Sequence, residues 1–343
     1  MTAAELVGAI MFVAVIAYAV FGGADFGSGV WDLTAGGTRR GARTRRLVDH
    51  AIGPVWEANH VWLIFVLVLL WTGFPGPYAE LMRSLAIPFW LAGLGIVARG
   101  AGFAFRKYAP SLRFARAAGI VFAVSSLATP IFLGAIAGAI ASGRVPHESG
   151  TAALSVWTGP TSILGALLAV STCTFLAGVL LAAEADTLGD DELADELRRK
   201  SLVGGIATGA IAIAGIPVLI ADAETLVDGL LGRGLPFVVA SAVAGLTTLA
   251  LLARSELRWA RVSAAIAVAA VVAGWGAGQY PWILVDHVTL DEGAGATAAL
   301  IGTAIASGVA LIIVVPALAW LYRLADTNQV GTVPQPPVHA ERD

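Results

Sequence analysis

Gly53-Pro54-Val55-Trp56-Glu57-Ala58-Asn59-His60-Val61-Trp62-Leu63-Ile64 sets an acid, an amide, an imidazole and two indoles at the head of an apolar run that continues to Trp71. A charged side chain facing hydrocarbon costs roughly 2.5–3.5 kcal/mol or more, so ionisable groups in spanning segments turn toward a bundle interior or a polar cavity. The stretch therefore predicts a membrane-spanning helix whose head carries a sheltered polar set.

Composition outside this stretch points the same way. The chain has 343 residues, 57% of them hydrophobic and only 13% charged, and its mean hydropathy is +0.80. Soluble domains carry about 25% charged residues. Apolar stretches of bilayer-spanning length recur along the sequence. The formal net charge of −3 argues against nucleic acid as a partner. A single cysteine, Cys173, excludes a disulfide framework and a cysteine metal cluster. The first basic residue is Arg39, so the N-terminus lacks the charged start of a signal peptide, and the first apolar stretch is expected to stay as a spanning helix.

Reading apolar runs against charged breaks predicts nine spans, at about 5–34, 48–72, 83–105, 114–141, 160–183, 201–222, 235–253, 259–280 and 296–322. Alternate breaks carry the cations: Arg39 to Arg46, Arg106 to Arg116, Arg198 to Lys200, Arg254 to Arg261, and finally Arg323 and Arg342. These hold 17 of the 21 basic residues; Arg83, Arg144 and Arg233 fall in the opposite breaks and Arg99 inside a span. The positive-inside rule then puts the N-terminus outside and the C-terminus in the cytoplasm. Glu184 to Glu196, with seven acids, reads as a short solvated cytoplasmic helix, and 326–343 as a disordered tail after the 1–325 membrane domain. Phe74-Pro-Gly-Pro-Tyr78 and Tyr280-Pro-Trp282 place turn residues and aromatics at the outer interface.

The polar residues inside the spans narrow the function. Asp25 is expected ~15 Å from the cytoplasmic end of the first span, Glu57 ~12 Å into the second and Arg99 ~10 Å into the third, at the helical rise. His60, three residues after Glu57, is expected on the same helix face. The bland interpretation is an ion pair, Arg99 with Asp25 or Glu57, that pins three helices. The functional interpretation is a proton path opening toward the cytoplasm, favoured because one Arg cannot neutralise two acids. Close packing accounts for Gly22, Gly23, Gly27 and Gly29 but not for Asp25. Only His60 of the five histidines is deep, which argues against haem ligation by this chain.

These residues resemble subunit II of the cytochrome bd-type quinol oxidases. Gly53 to Leu63 is similar to the family's Gly/Ala-Pro-x-Trp-Asp-Gly-Asn-(Glu/Gln)-Val-Trp-Leu pattern in the second helix. Asp25-Phe26-Gly27-x-Gly29, the Phe74-Pro75 turn with Tyr78-Ala79, and Arg99 to Arg106 resemble further family motifs in the right order, as does Gln279-Tyr280-Pro281. Several positions depart from the pattern. The family's first aspartate of helix 1 is Gly22, its helix-2 aspartate is Glu57, its Glu or Gln is His60, and an acid near the end of helix 3 is Ala104.

The resemblance implies an all-α fold of two four-helix bundles plus a peripheral helix, in a bacterial plasma membrane. It implies a partner, subunit I, that holds the b and d haems and the quinol site, with room for a small accessory subunit. The complex would oxidise quinol and reduce oxygen to water. Asp25, Glu57 and His60 would carry cytoplasmic protons, Arg99 would tune their charge, and Trp56 would face a structural quinone as in some members. The residues alone leave two alternatives open: a proton-coupled secondary transporter, and a purely structural assembly subunit.

Overall fold

In the computed structural model, residues 1–37, 41–53, 55–146 and 154–326 are described. Helix α1 (Ala3–Thr34) starts from a capping box, in which Thr2 Oγ accepts from the Glu5 amide at 3.1 Å and the Thr2 amide donates to Glu5 at 2.8 Å. An amphipathic helix, α2 (Ala42–Ile52), follows, burying Leu47, Val48 and Ile52 beneath its arginines. The second span is then built from α3 (Trp56–Asn59) and α4 (Val61–Gly73), joined through His60. The chain continues through α5 (Pro75–Ser84), α6 (Ala86–Lys107), α7 (Leu112–Ala141), α8 (Leu154–Trp157) and α9 (Pro160–Thr187). After it come α10 (Asp191–Asp222), α11 (Glu224–Leu231), α12 (Leu235–Ala253), α13 (Leu257–Gln279) and α14 (Thr297–Asp326). A two-stranded antiparallel hairpin, β1 (Trp282–Leu284) and β2 (Val288–Thr289), separates α13 from α14.

Nine helical segments among the described residues are long and apolar enough to cross a membrane, in the order expected from the sequence. α1 packs on α4, α7, α9 and α13, so it lies at the centre of the molecule. α6 packs on α7, while α9, α10, α12 and α13 close a second group. α14 packs mainly on α1 and α4. Glycines set the closest approaches. A Cβ on Gly27 would lie 1.9 Å from the Cys173 carbonyl oxygen, so α1 meets α9 backbone to backbone there. Gly134 and Gly165 bring α7 and α9 together in the same way. One apolar cluster, around Trp31, Phe122, Leu176 and Leu252, fills the basic end. Another, around Val7, Phe74, Leu85 and Leu284, fills the opposite end.

Two expectations need correction. The second span does not begin near residue 48. Its spanning part is Trp56–Gly73, and α2 before it is a separate helix ending at Ile52. The physical reason is in the sequence: Pro54 supplies no amide hydrogen, so a continuous helix through it would lose a backbone hydrogen bond. The acidic stretch after residue 184 forms no helix of its own. α9 runs on to Thr187, and α10 starts at Asp191 with Asp190 as its cap, accepting from the Leu193 amide at 3.2 Å. The Phe74 to Tyr78 turn opens α5, with Pro75 in its first turn, where a missing amide hydrogen costs nothing. The expected tail lies outside the described residues beyond Asp326.

Candidate functional site

α1, α3 and α6 converge near the basic end of the bundle. Asp25 stands nine residues before the end of α1 and is 2% exposed. Its Oδ2 accepts a hydrogen bond from Asn59 Nδ2 at 2.7 Å, and Asn59 is itself buried. Asn59 ends α3, so the interruption of the second span is what aims its amide at Asp25. The Asp25 carbonyl oxygen accepts twice, from Ser28 Oγ at 2.6 Å and from Arg99 Nη2 at 3.1 Å.

Arg99 is 1% exposed, and it forms no ion pair among the described residues; its contact with Asp25 is to the backbone. Its guanidinium lies 5.4 Å from the Phe26 ring centroid and 5.2 Å from that of Phe122. The ring quadrupoles partly stand in for the missing counter-ion. α6 can bring Arg99 this close because Gly95 and Gly102 have no side chain. A Cβ on Gly102 would sit 2.7 Å from the Phe122 amide nitrogen.

His60 lies on the other side of Phe26, with ring centroids 5.8 Å apart. Its Nδ1 is 3.3 Å from the Tyr18 hydroxyl, while its Nε2 is buried with no partner. The Tyr18 ring occupies the space beside Gly22. A Cβ at 22 would lie 2.7 Å from it, which places an aromatic ring where the family pattern has a carboxylate. Trp56 is half-buried and packs against Phe103 at 5.9 Å and against Gly100.

Glu57 differs from its expectation. It is exposed where His60 is partly buried, and its side chain has no hydrogen-bond or ion-pair partner among the described residues. The break before Trp56 places it in the first turn of the span rather than well inside it. The sequence reading also passed over the charges below the pair. Asp32, 4% exposed, accepts from Arg45 Nε at 2.8 Å and pairs with Arg106, which also pairs with Asp49. Arg106 lies 4.8 Å from the Phe122 centroid, so one ring separates the two guanidiniums. The motif from Arg99 to Arg106 held this signal, since seven residues is two helical turns on one face. Burial pushes the Asp49 carboxyl above its ordinary range, with Arg106 opposing. No group of three or more His, Cys, Asp or Glu side chains gathers into a metal-binding arrangement among the described residues.

Fold and site together define a helical membrane protein with nine spans among the described residues, in which the buried Asp25 and the buried Arg99 meet near the basic end. The family profile described as cytochrome bd terminal oxidase subunit II matches residues 3–325, and the chain belongs to that family. It is a multi-pass protein of the bacterial plasma membrane. It is 27% identical over 206 residues to a Bacillus subtilis (strain 168) cytochrome bd ubiquinol oxidase subunit 2, covering 59% of each chain. Over 220 residues it is 22% identical to a putative cytochrome bd menaquinol oxidase subunit II of the same organism, covering 63% of this chain and 62% of the other. The matched stretches thus span about three fifths of these relatives. A chain in the structure of bd oxidase from Geobacillus thermodenitrificans has the same fold, with a TM-score of 0.80 at 23% identity, covering 94% of this chain and 98% of that one.

Proposed function

We propose that this chain is subunit II of a cytochrome bd-type quinol oxidase, that it supports a haem-bearing subunit I, and that it carries protons from the cytoplasm toward the site of oxygen reduction. The N-terminus lies outside and the basic end faces the cytoplasm. The observation that carries the proton role is Asp25, a buried acid held by Asn59 Nδ2 on one oxygen. Its other oxygen, Oδ1, has no hydrogen-bond partner among the described residues and is the atom that takes and releases the proton. Arg99 holds a fixed positive charge beside it, since a guanidinium does not deprotonate in proteins. Asp32, Asp49, Arg45 and Arg106 form the cytoplasmic approach.

Glu57 fits a position at the face that meets subunit I. It stands on the apolar outer side of the second span with Val61 and Ile64, both exposed. An unpaired acid against lipid is costly, and a partner subunit removes that cost. A structural quinone beside Trp56 belongs to this reading only through the resemblance, because Gly100 and Phe103 already take up part of the indole. The haems supply the redox chemistry from the partner. The interruption between α2 and α3 is a feature a secondary transporter could use, but it precedes the first turn of the second span rather than lying within it.

The test is to purify the complex carrying Asp25→Asn. The expected result is a normal haem spectrum and quinol oxidase turnover reduced by about tenfold or more. Wild-type turnover at normal haem content would remove the proton role.

A further inference from the structure

At the end of the molecule opposite Asp25, α11, the turn before α12, the end of α13 and the hairpin after it line an open cavity of about 350 Å³. That is within the ~300–1,000 Å³ of small-ligand sites. Glycines make its floor. A Cβ on Gly229 would lie 1.9 Å from the Gly278 carbonyl oxygen, so α11 and α13 touch backbone to backbone. This contact leaves Asp228 and Arg233 on one side of the cavity and Tyr280 and Trp282 on the other.

The charges lining the cavity are unusual for this end of the molecule. Of the arginines there, Arg83 pairs with Glu80 and Arg144 with Asp222. Arg233 pairs with no carboxylate among the described residues, and neither does the Asp228 side chain meet a cation. The two line one cavity yet form no ion pair with each other. Arg233 is held in place instead: its Nη2 donates to the Tyr280 carbonyl oxygen at 2.7 Å, and its guanidinium stacks 4.9 Å from the Tyr280 ring centroid. Tyr280 is anchored in turn, donating its hydroxyl to Glu5 at 2.5 Å. The cavity therefore presents a fixed cation and a separate free anion on a rigid aromatic wall. Leu231, Leu235 and Phe237, which flank Arg233 in the chain, stand exposed.

We propose that this cavity binds the headgroup of a zwitterionic phospholipid of the phosphatidylethanolamine type. The phosphate sits on Arg233 and the ammonium on Asp228. The acyl chains run down past Leu231, Leu235 and Phe237, and Tyr280 and Trp282 mark the interface as aromatic residues do at membrane boundaries. An anionic lipid would satisfy Arg233 and leave Asp228 facing a like charge or none, so the pair selects for the zwitterion.

The experiment incorporates the full chain, with whatever subunits accompany it, into nanodiscs of mixed phosphatidylethanolamine and phosphatidylglycerol. Lipid retained after detergent extraction is counted by mass spectrometry. Arg233→Gln and Asp228→Asn should each reduce retained phosphatidylethanolamine by about tenfold, the loss of one charge-assisted contact, while Arg233→Lys keeps most of it. Both residues are exposed, so folding is not at stake, and thermal unfolding of the variants confirms it. Three results would overturn the proposal. Asp228→Asn could leave phosphatidylethanolamine retention unchanged, which would make this a plain anion site. Free phosphoethanolamine could displace the lipid completely, which would make the ligand soluble. Retention could be unaffected by any variant, which would mean another component covers the cavity.

Discussion

Asp25 and Glu57 are the two acids that the sequence set at one level, and the structure gives them opposite surroundings. Asp25 was legible because an acid among glycines in a 32-residue apolar helix has no packing role. Glu57 was misplaced because its depth depended on counting from a helix start that Pro54 moves. The difference can be tested residue by residue. Asp25→Asn removes the only buried carboxylate beside Arg99, so it should lower turnover in the assembled complex. If the acid were only structural, the same change should lower the yield of complex, because it takes away the carboxylate nearest the buried Arg99 charge, while the surviving complex works normally. Glu57→Asp restores the residue of the family pattern and should keep most activity; Glu57→Gln should reduce turnover in the complex without altering the stability of the isolated chain. The lost carboxylate at position 22 yields a sharper prediction. Gly22→Asp reproduces the family residue, but its Cβ would lie 2.7 Å from the Tyr18 ring. The single variant should therefore be destabilised by about 1–3 kcal/mol through overpacking. Adding Tyr18→Ala should recover much of that loss in a thermal unfolding assay, because it vacates the same space. Equal instability of the single and double variants would show that the ring is not what excludes the acid. Asn59 and Tyr18 were not legible as site residues, because their roles come from where α3 ends and from the packing of α1 against it.

Among the elements, hydropathy placed all nine spans, since runs of that length have no alternative burial. The hairpin of β1 and β2 left no comparable signal: five strand residues in two segments are too few for a period to show. Helix contacts were legible only as a tendency, through the glycines. Gly27 is the strongest case, and Gly27→Val should disrupt assembly of α1 on α9, with expression of folded protein falling sharply. Gly209, with open space around the same position in α10, supplies the control. Gly209→Ala should be neutral or stabilising by up to about 1 kcal/mol. At the basic end, Arg43 pairs with Asp190 and, at 2.7 Å, with Glu192, tying α2 to the cap of α10. The hydrogen bond from Arg43 holds the Asp190 carboxyl below its ordinary range. A depressed carboxylate adds stability above its unfolded pKa and loses it as pH falls through the folded value. The pair is solvent-exposed, so its contribution is small. Amides of residues 190–194 should exchange faster at about pH 3 than at neutrality, after correction for intrinsic rates. Arg43→Gln should remove that difference, and its survival in the variant would detach the effect from this pair.

For the whole molecule, the asymmetry of charge and the buried pair make one connected claim about orientation and partner. The described cations cluster at the end where α1 finishes and α2, α6 and α10 present their arginines, which is also the end nearest Asp25. If that end faces the cytoplasm, reporter fusions in the 36–47 and 255–258 breaks should read cytoplasmic, and those near 144–155 and 285–292 external. Orientation then sets which side protons come from. A shift of pH on the cytoplasmic side alone should change turnover of the vesicle-reconstituted complex through Asp25, and Asp25→Asn should flatten that response. Purified by a tag on its own C-terminus, the full chain should bring down a second membrane subunit carrying all of the haem absorbance. Once that partner is stripped away, the chain should retain none. The reason is geometric: His60 is the one histidine the sequence places deep, its Nδ1 faces the Tyr18 hydroxyl, and the Phe26 and Trp56 rings pack against its own at 5.8 and 6.4 Å. Stoichiometric haem on the separated chain would contradict this, and it would require the cluster around Phe26 to open.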